Sequence, residues 1–111
     1  MTPNDNVYLD HIIESIDFIE KYCAELGARE FYKDELLQNA IVRQLEIIGE
    51  AANRVSKKTQ SKMKKIQWKK IIGMRNKLIH EYFGVDLKVV WTTIKEELPL
   101  LKEEISEYLK G

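Results

Sequence analysis

Cysteine occurs once in these 111 residues, as Cys23, so no internal disulfide can form and the chain fits a reducing compartment. Histidine occurs twice, as His11 and His80, far apart in sequence, and that set is too sparse for a structural zinc site. Gly-rich phosphate loops, nucleophile elbows and internal repeats are all missing, and nothing in the pattern asks for a cofactor or a metal. No apolar run approaches the length needed to span a bilayer. The opening Met1-Thr2-Pro3-Asn4-Asp5-Asn6 carries no positive leader region, so a cytoplasmic protein without a membrane partner is expected. Net charge is absent too, but its distribution is uneven. Residues 51–80 hold ten Lys and Arg and no Asp or Glu, whereas residues 1–50 hold eleven acidic and four basic side chains. A basic block sits inside an otherwise acidic protein.

What is present is helical periodicity. One domain over residues 1–111 is expected, large enough for a single core. The first helix is predicted to be capped within residues 4–6 and to run to about Leu26, where Gly27 stops it. Its buried stripe is Leu9, Ile12, Ile16, Ile19, Cys23 and Leu26, which makes Cys23 a core residue and leaves His11 on the solvated side. After a short connection, a second helix is predicted over residues 34–55 with Leu37, Ile41, Leu45, Ile48, Ala52 and Val55 buried. Gly49, Ala51 and Ala52 thin it and admit a close neighbour. Arg43, Glu46, Glu50 and Arg54 recur on a flank at three- and four-residue steps. They form either a solvated, salt-bridged face or, through Glu46 or Glu50, a counter-charge for a buried arginine elsewhere.

Residues 56–67 read as a lysine-rich connection (Lys57, Lys58, Lys62, Lys64, Lys65) anchored by Met63 and Ile66. A solvated loop and a positive approach path for a phosphate backbone both fit, the second favoured by Lys69, Lys70 and Lys77 just beyond. A third helix begins near Trp68 and is predicted to end near Phe83, with Gly84 at its C-terminus and Asp86 capping the next element. From Leu87 to Tyr108 the apolar phase continues through Pro99. This tail is either one helix kinked there or two in series, amphipathic and without chemistry of its own. The fold class is all-α, an antiparallel bundle of four or five helices.

Arg75-Asn76-Lys77-Leu78-Ile79-His80-Glu81-Tyr82 is the stretch that breaks the pattern. Trp68, Ile72, Ile79 and Tyr82 lie within roughly 60° of Arg75 around a helix, so a cation occupies the middle of an apolar stripe. An unpaired interior charge is costly, hence the interest in Glu46 and Glu50. His80 lies about 140° round from Arg75, on the flank of Asn76, Gly73 and Lys69. If both are to act on one atom, Arg75 must curl out of the stripe or a second copy of the chain must contribute. A homodimer joined near these helices is therefore expected. Taken alone, His80 could be a helix-end histidine favoured by the dipole. With Arg75 and Asn76 beside it, the set suits metal-free RNA transesterification. The imidazole moves protons at the ribose 2′-OH and the leaving 5′-oxygen, the guanidinium stabilises the phosphorane, and Asn76 orients the ring or bonds a phosphate oxygen.

Arg75-x4-His80-x-Tyr82, preceded by Trp68-Lys69-Lys70-Ile71-Ile72-Gly73-Met74, resembles the signature of the HEPN superfamily and in particular its HepT-like toxin branch. Arg43-x2-Glu46-x2-Gly49-Glu50-Ala51 and Val85-Asp86 fit the same branch, so the similarity covers nearly the whole chain. The resemblance implies an all-helical, dimeric, metal-independent endoribonuclease, the toxin of a type VII toxin–antitoxin pair. It implies catalytic roles for Arg75 and His80 across a dimer groove. It further implies neutralisation by a minimal nucleotidyltransferase antitoxin that transfers AMP to Tyr82. Helical spacing by itself reads Tyr82 as a core aromatic near a helix end. A rival from another class is a non-catalytic helical binding partner of such a nucleotidyltransferase.

Overall fold

The computed structural model of the protein describes residues 3–73 and 86–111. Helix α1 spans Pro3–Cys23. Proline suits the first turn because its missing N–H would have no partner there. The stripe on Leu9, Ile12, Ile16, Ile19 and Cys23 is buried as predicted. The helix ends three residues before Leu26, however, and Gly27 does not stop it. Gly27 is instead the N-cap of a second helix, in extended backbone at φ −91° and ψ 171°.

That helix, α2, spans Ala28–Lys33 and was not foreseen. Six residues are too few for an apolar period to show in sequence, yet they bury Phe31 completely. The Phe31 ring packs 5.2 Å from the Trp91 ring, and Gln38 Nε2 donates to the Phe31 and Tyr32 carbonyls at 2.9 and 3.1 Å, tying α2 to the following helix. Helix α3 runs over Glu35–Arg54, with the Asp34 carboxylate accepting from the Leu37 N–H at 3.0 Å and Val55 at its C-terminal end. The predicted start at residue 34 is thus the N-cap, one position before the helix proper.

Between α3 and the next long element the chain forms an elbow over residues 56–67. It contains a short helix, α4, over Lys57–Gln60. Met63 and Ile66 anchor it as predicted, and Thr59 and Gln60 are buried as well. Helix α5 begins at residue 68 and is described to residue 73. After Asp86, whose carboxylate accepts from the Lys88 N–H at 2.9 Å, helix α6 covers Leu87–Thr92. A π-helical turn over Thr93–Glu97 then leads directly into α7 at Leu98–Lys110. Of the two forms open for this tail, the structure shows a rod whose turn widens just before Pro99. A proline ring presses on the carbonyl four residues back and removes one hydrogen bond, and a wider turn relieves both.

The fold is all-α, a helical bundle without a strand among the described residues. Its core is built from α1 (Leu9, Ile12, Ile16), α3 (Ile41, Leu45, Ile48) and α7 (Leu98, Leu101, Ile105). Each such side chain contributes about 1.5–3 kcal/mol on burial. Lys102 of α7 reaches Asp17 at 2.9 Å and Glu20 at 2.7 Å on α1. Its ammonium is held protonated to higher pH by the bonds to Glu20 and then Asp17. Burial pushes the Cys23 thiol up, so it is a packing residue rather than a nucleophile.

The start of α1 is clasped to the elbow. Asp5 is buried and accepts from the Ser56 N–H at 3.0 Å, the Ser56 hydroxyl at 2.6 Å and the Thr59 hydroxyl at 2.6 Å. The Ser56 hydroxyl bond, then that of Thr59, holds its carboxyl below the ordinary carboxylate range, although burial opposes them. A depressed folded-state value means that the stabilisation is present above the unfolded value of about 3.9 and is lost as pH falls through the folded one. Asp5→Asn is expected to lower stability by about 1.5–3 kcal/mol at neutral pH, the range for hydrogen bonds to a charged group. It should also flatten the loss of stability below about pH 4 in thermal melts taken against pH. Parallel acid profiles for both proteins would dismiss the clasp.

Candidate functional site

The approach to the 75–82 stretch is fixed from its N-terminal side. Trp68, the first residue of α5, is buried, and its indole N–H is shared between the Gln60 carbonyl at 3.2 Å and the Met63 carbonyl at 3.3 Å. Gln60 in turn donates from Nε2 to the Ala52 and Val55 carbonyls at 3.3 and 3.1 Å. The elbow therefore joins the end of α3 to the start of α5 through buried hydrogen bonds, each of which satisfies a group that burial would otherwise leave costly. Ile71 is buried and Ile72 half-buried, which sets the phase of α5 as the apolar spacing predicts. Lys69, Lys70 and Gly73 are exposed on its other side, and a Cβ added at Gly73 would meet nothing within 4 Å.

Arg75, Asn76, Lys77, His80 and Tyr82 lie outside the described residues, as does the predicted helix end at Phe83 and Gly84. Of the other residues singled out, Glu46 and Glu50 sit on α3 and pair along it. Arg43 Nη1 reaches Glu46 at 3.6 Å and Arg54 Nη2 reaches Glu50 at 3.8 Å. The salt-bridged face is what the described residues contain. Glu46 is the more sheltered of the two carboxylates, at 25% exposure against 52%. Lys70 is engaged by Glu97 at the end of the π turn, while Lys69 has no carboxylate within 4 Å among the described residues. Gly49, Ala51 and Ala52 are already buried within the chain, so the close approach that they allow is made internally.

His11 is exposed as expected and stands edge-on to Tyr8, ring centroids 6.4 Å apart. Sequence reasoning missed the hollow that they share with Ile47, Glu50, Ala51 and Arg54 at the seam of α1 and α3, where the Arg54 guanidinium lies 6.0 Å from the Tyr8 ring centre. It also missed Asp5, whose partners are 51 and 54 residues away. The Ser56-x2-Thr59 spacing was the readable half of that clasp. No cluster of three or more metal-ligating side chains occurs among the described residues. None of the described helices is long and apolar enough to cross a membrane.

Residues 12–108 match the family described as Ribonuclease HepT-like. A protein of Caldanaerobacter subterraneus subsp. tengcongensis, provisionally named an RNase, is 44% identical over 103 residues, 93% of this chain and 92% of that one. A protein of Thermococcus cleftensis named "Probable ribonuclease HepT" is 41% identical over 103 residues, 93% of this chain and 94% of that one. A longer protein of Methanocaldococcus jannaschii, named a gamma-glutamylcyclotransferase and provisionally an RNase, is 40% identical over 110 residues, 99% of this chain and 50% of that one. No solved structure matches the chain.

Proposed function

The chain belongs to the Ribonuclease HepT-like family of the HEPN superfamily, and from that premise we propose that it is an RNA endoribonuclease toxin that works without metal through Arg75 and His80. One observation carries the proposal: the family match over residues 12–108 contains Arg75-x4-His80-x-Tyr82. In this reading His80 takes the proton of a ribose 2′-OH, and the 2′-oxygen attacks the adjacent phosphorus. The bond to the 5′-oxygen breaks as that oxygen is protonated, which leaves a 2′,3′-cyclic phosphate and a 5′-hydroxyl. Arg75 stabilises the charge that gathers on the non-bridging oxygens, and Asn76, one turn from His80, orients the imidazole. Glu46, the more sheltered α3 carboxylate, is the candidate counter-charge for Arg75, with Glu50 the alternative. Lys69, Lys70 and Lys77 would meet the flanking phosphates, Lys70 on release from Glu97.

A homodimer completes the site, because helical spacing would put Arg75 and His80 about 140° apart and a two-fold axis places two such flanks face to face. The small residues of α3 lend this no support, being buried in the chain itself. Sedimentation at tens of micromolar should give a dimer. A monomer throughout would remove the groove on which the assignment depends. The activity itself is tested by cleavage of purified RNA, with His80→Ala as the comparison.

A further inference from the structure

Lys57, Lys58, Lys62, Lys64 and Lys65 crowd into the elbow, whereas Lys33 and Lys88, which also have no carboxylate within 4 Å among the described residues, stand singly. Lys70, Lys102 and Lys110 are each paired with a carboxylate, and Lys21 and Lys95 lie over the rings of Tyr22 and Trp91. Lys57, Lys58, Lys62, Lys64, Lys65 and Lys69 are all exposed, and none has a carboxylate within 4 Å among the described residues. Glu81 is the sole acidic residue outside the description, enough to neutralise one of them at most. Their backbone is also held. Ser56 and Thr59 are clasped by Asp5, Gln60 is bonded to the end of α3, and Trp68 is bonded back to Gln60 and Met63. A concentrated, unneutralised charge on a fixed backbone repels itself in the free protein and is relieved by an anion that spans it.

We propose that this elbow is a track for the sugar–phosphate backbone of single-stranded RNA, which it leads to the α5 helix. The proposal rests on the ribonuclease reading for the identity of the polyanion, and it adds binding residues that the cleavage step does not use. Lys69 links the two, since it lies at the start of α5, six positions before Arg75 in sequence. An anionic membrane fits less well. The apolar residues of the segment, Met63, Ile66 and Trp68, are buried and leave nothing to insert among lipids.

The test is the binding of a 2′-O-methylated RNA oligonucleotide, which cannot undergo transesterification, to the full chain over a range of salt concentrations. The parent is compared with a variant carrying Lys57→Gln, Lys58→Gln, Lys62→Gln, Lys64→Gln and Lys65→Gln, and with a Lys110→Gln control. All of these side chains are exposed, so the fold should persist, and circular dichroism checks it. Each engaged lysine contributes about 0.7 to the slope of log affinity against log salt for a single strand. The elbow variant should lose between about 0.7 and 3.5 of slope. It should also lose on the order of tenfold or more in affinity at moderate salt, while the control matches the parent. An unchanged slope and affinity would overturn the track. So would a variant that keeps RNA binding but loses binding to polyglutamate, which would assign the elbow to an acidic protein. Failure here is separable from failure of the ribonuclease reading, because cleavage of unmodified RNA is scored independently. A chain that binds through the elbow yet cuts nothing keeps the track and loses the nuclease.

Discussion

His80→Ala is expected to lower RNA cleavage on the order of a hundred- to ten-thousand-fold while leaving the fold and the dimer intact, since positioned proton transfer contributes that range. His80 stands about 140° from the Arg75 stripe on helical spacing, so removal of the imidazole takes nothing from the predicted apolar face. Cleavage by the parent should be indifferent to chelator, because the motif supplies a base and a cation but no set of carboxylates to hold magnesium. Arg75→Ala should inactivate as well. It is the poorer test, because a cation in an apolar stripe has structural partners whose loss can unfold the bundle, so its circular dichroism must be recorded alongside. Undiminished cleavage by His80→Ala would remove His80 from the chemistry, whereas a parent that cuts no RNA would leave the chain as a helical binding partner of a nucleotidyltransferase, the rival from another class.

On the proposed function, Tyr82→Phe is expected to keep RNA cleavage but to escape neutralisation by a partner nucleotidyltransferase. The similarity to HepT-like toxins implies that a partner nucleotidyltransferase transfers AMP to this tyrosine. In such a step the phenolic oxygen attacks the α-phosphorus of ATP, the phenol proton is lost and pyrophosphate leaves. Each phosphodiester so formed adds a negative charge two residues from His80, where it competes with the RNA phosphate, and the adenosine adds bulk in the groove. Phenylalanine keeps the ring and removes the oxygen that reacts. Intact mass after incubation with the partner and ATP should show one or more AMP increments on the parent and none on Tyr82→Phe. Equal labelling of both would move the modification elsewhere.

The long helices were legible because their apolar stripes are long. The phases of α1 and α3, the Asp86 cap and the core position of Cys23 could all be read from the sequence. α2 was not legible, since one buried aromatic in six residues makes no period. Nor was the π turn, because Pro99 shows that a helix must yield but not whether it kinks or widens. The elbow was half legible. Its lysines and the Met63 and Ile66 anchors could be read, whereas the Asp5 clasp joins residues more than fifty positions apart and depends on packing that sequence spacing does not report. On the α3 flank, Glu46 and Glu50 have arginine partners on their own helix, while the counter-charge reading turns on Arg75, outside the described residues. The chemistry of the candidate site rests on residue types and helical spacing for Arg75 and His80 and on the family resemblance for Tyr82, all three outside the described residues.

The most direct test of the account is the chemical nature of the ends that the purified protein leaves on RNA in EDTA, with His80→Ala treated in parallel. The expected result is 2′,3′-cyclic phosphate and 5′-hydroxyl ends from the parent, and intact RNA from His80→Ala. Cleavage that stops in EDTA, ends bearing 5′-phosphate, or equal cutting by the two proteins would contradict it.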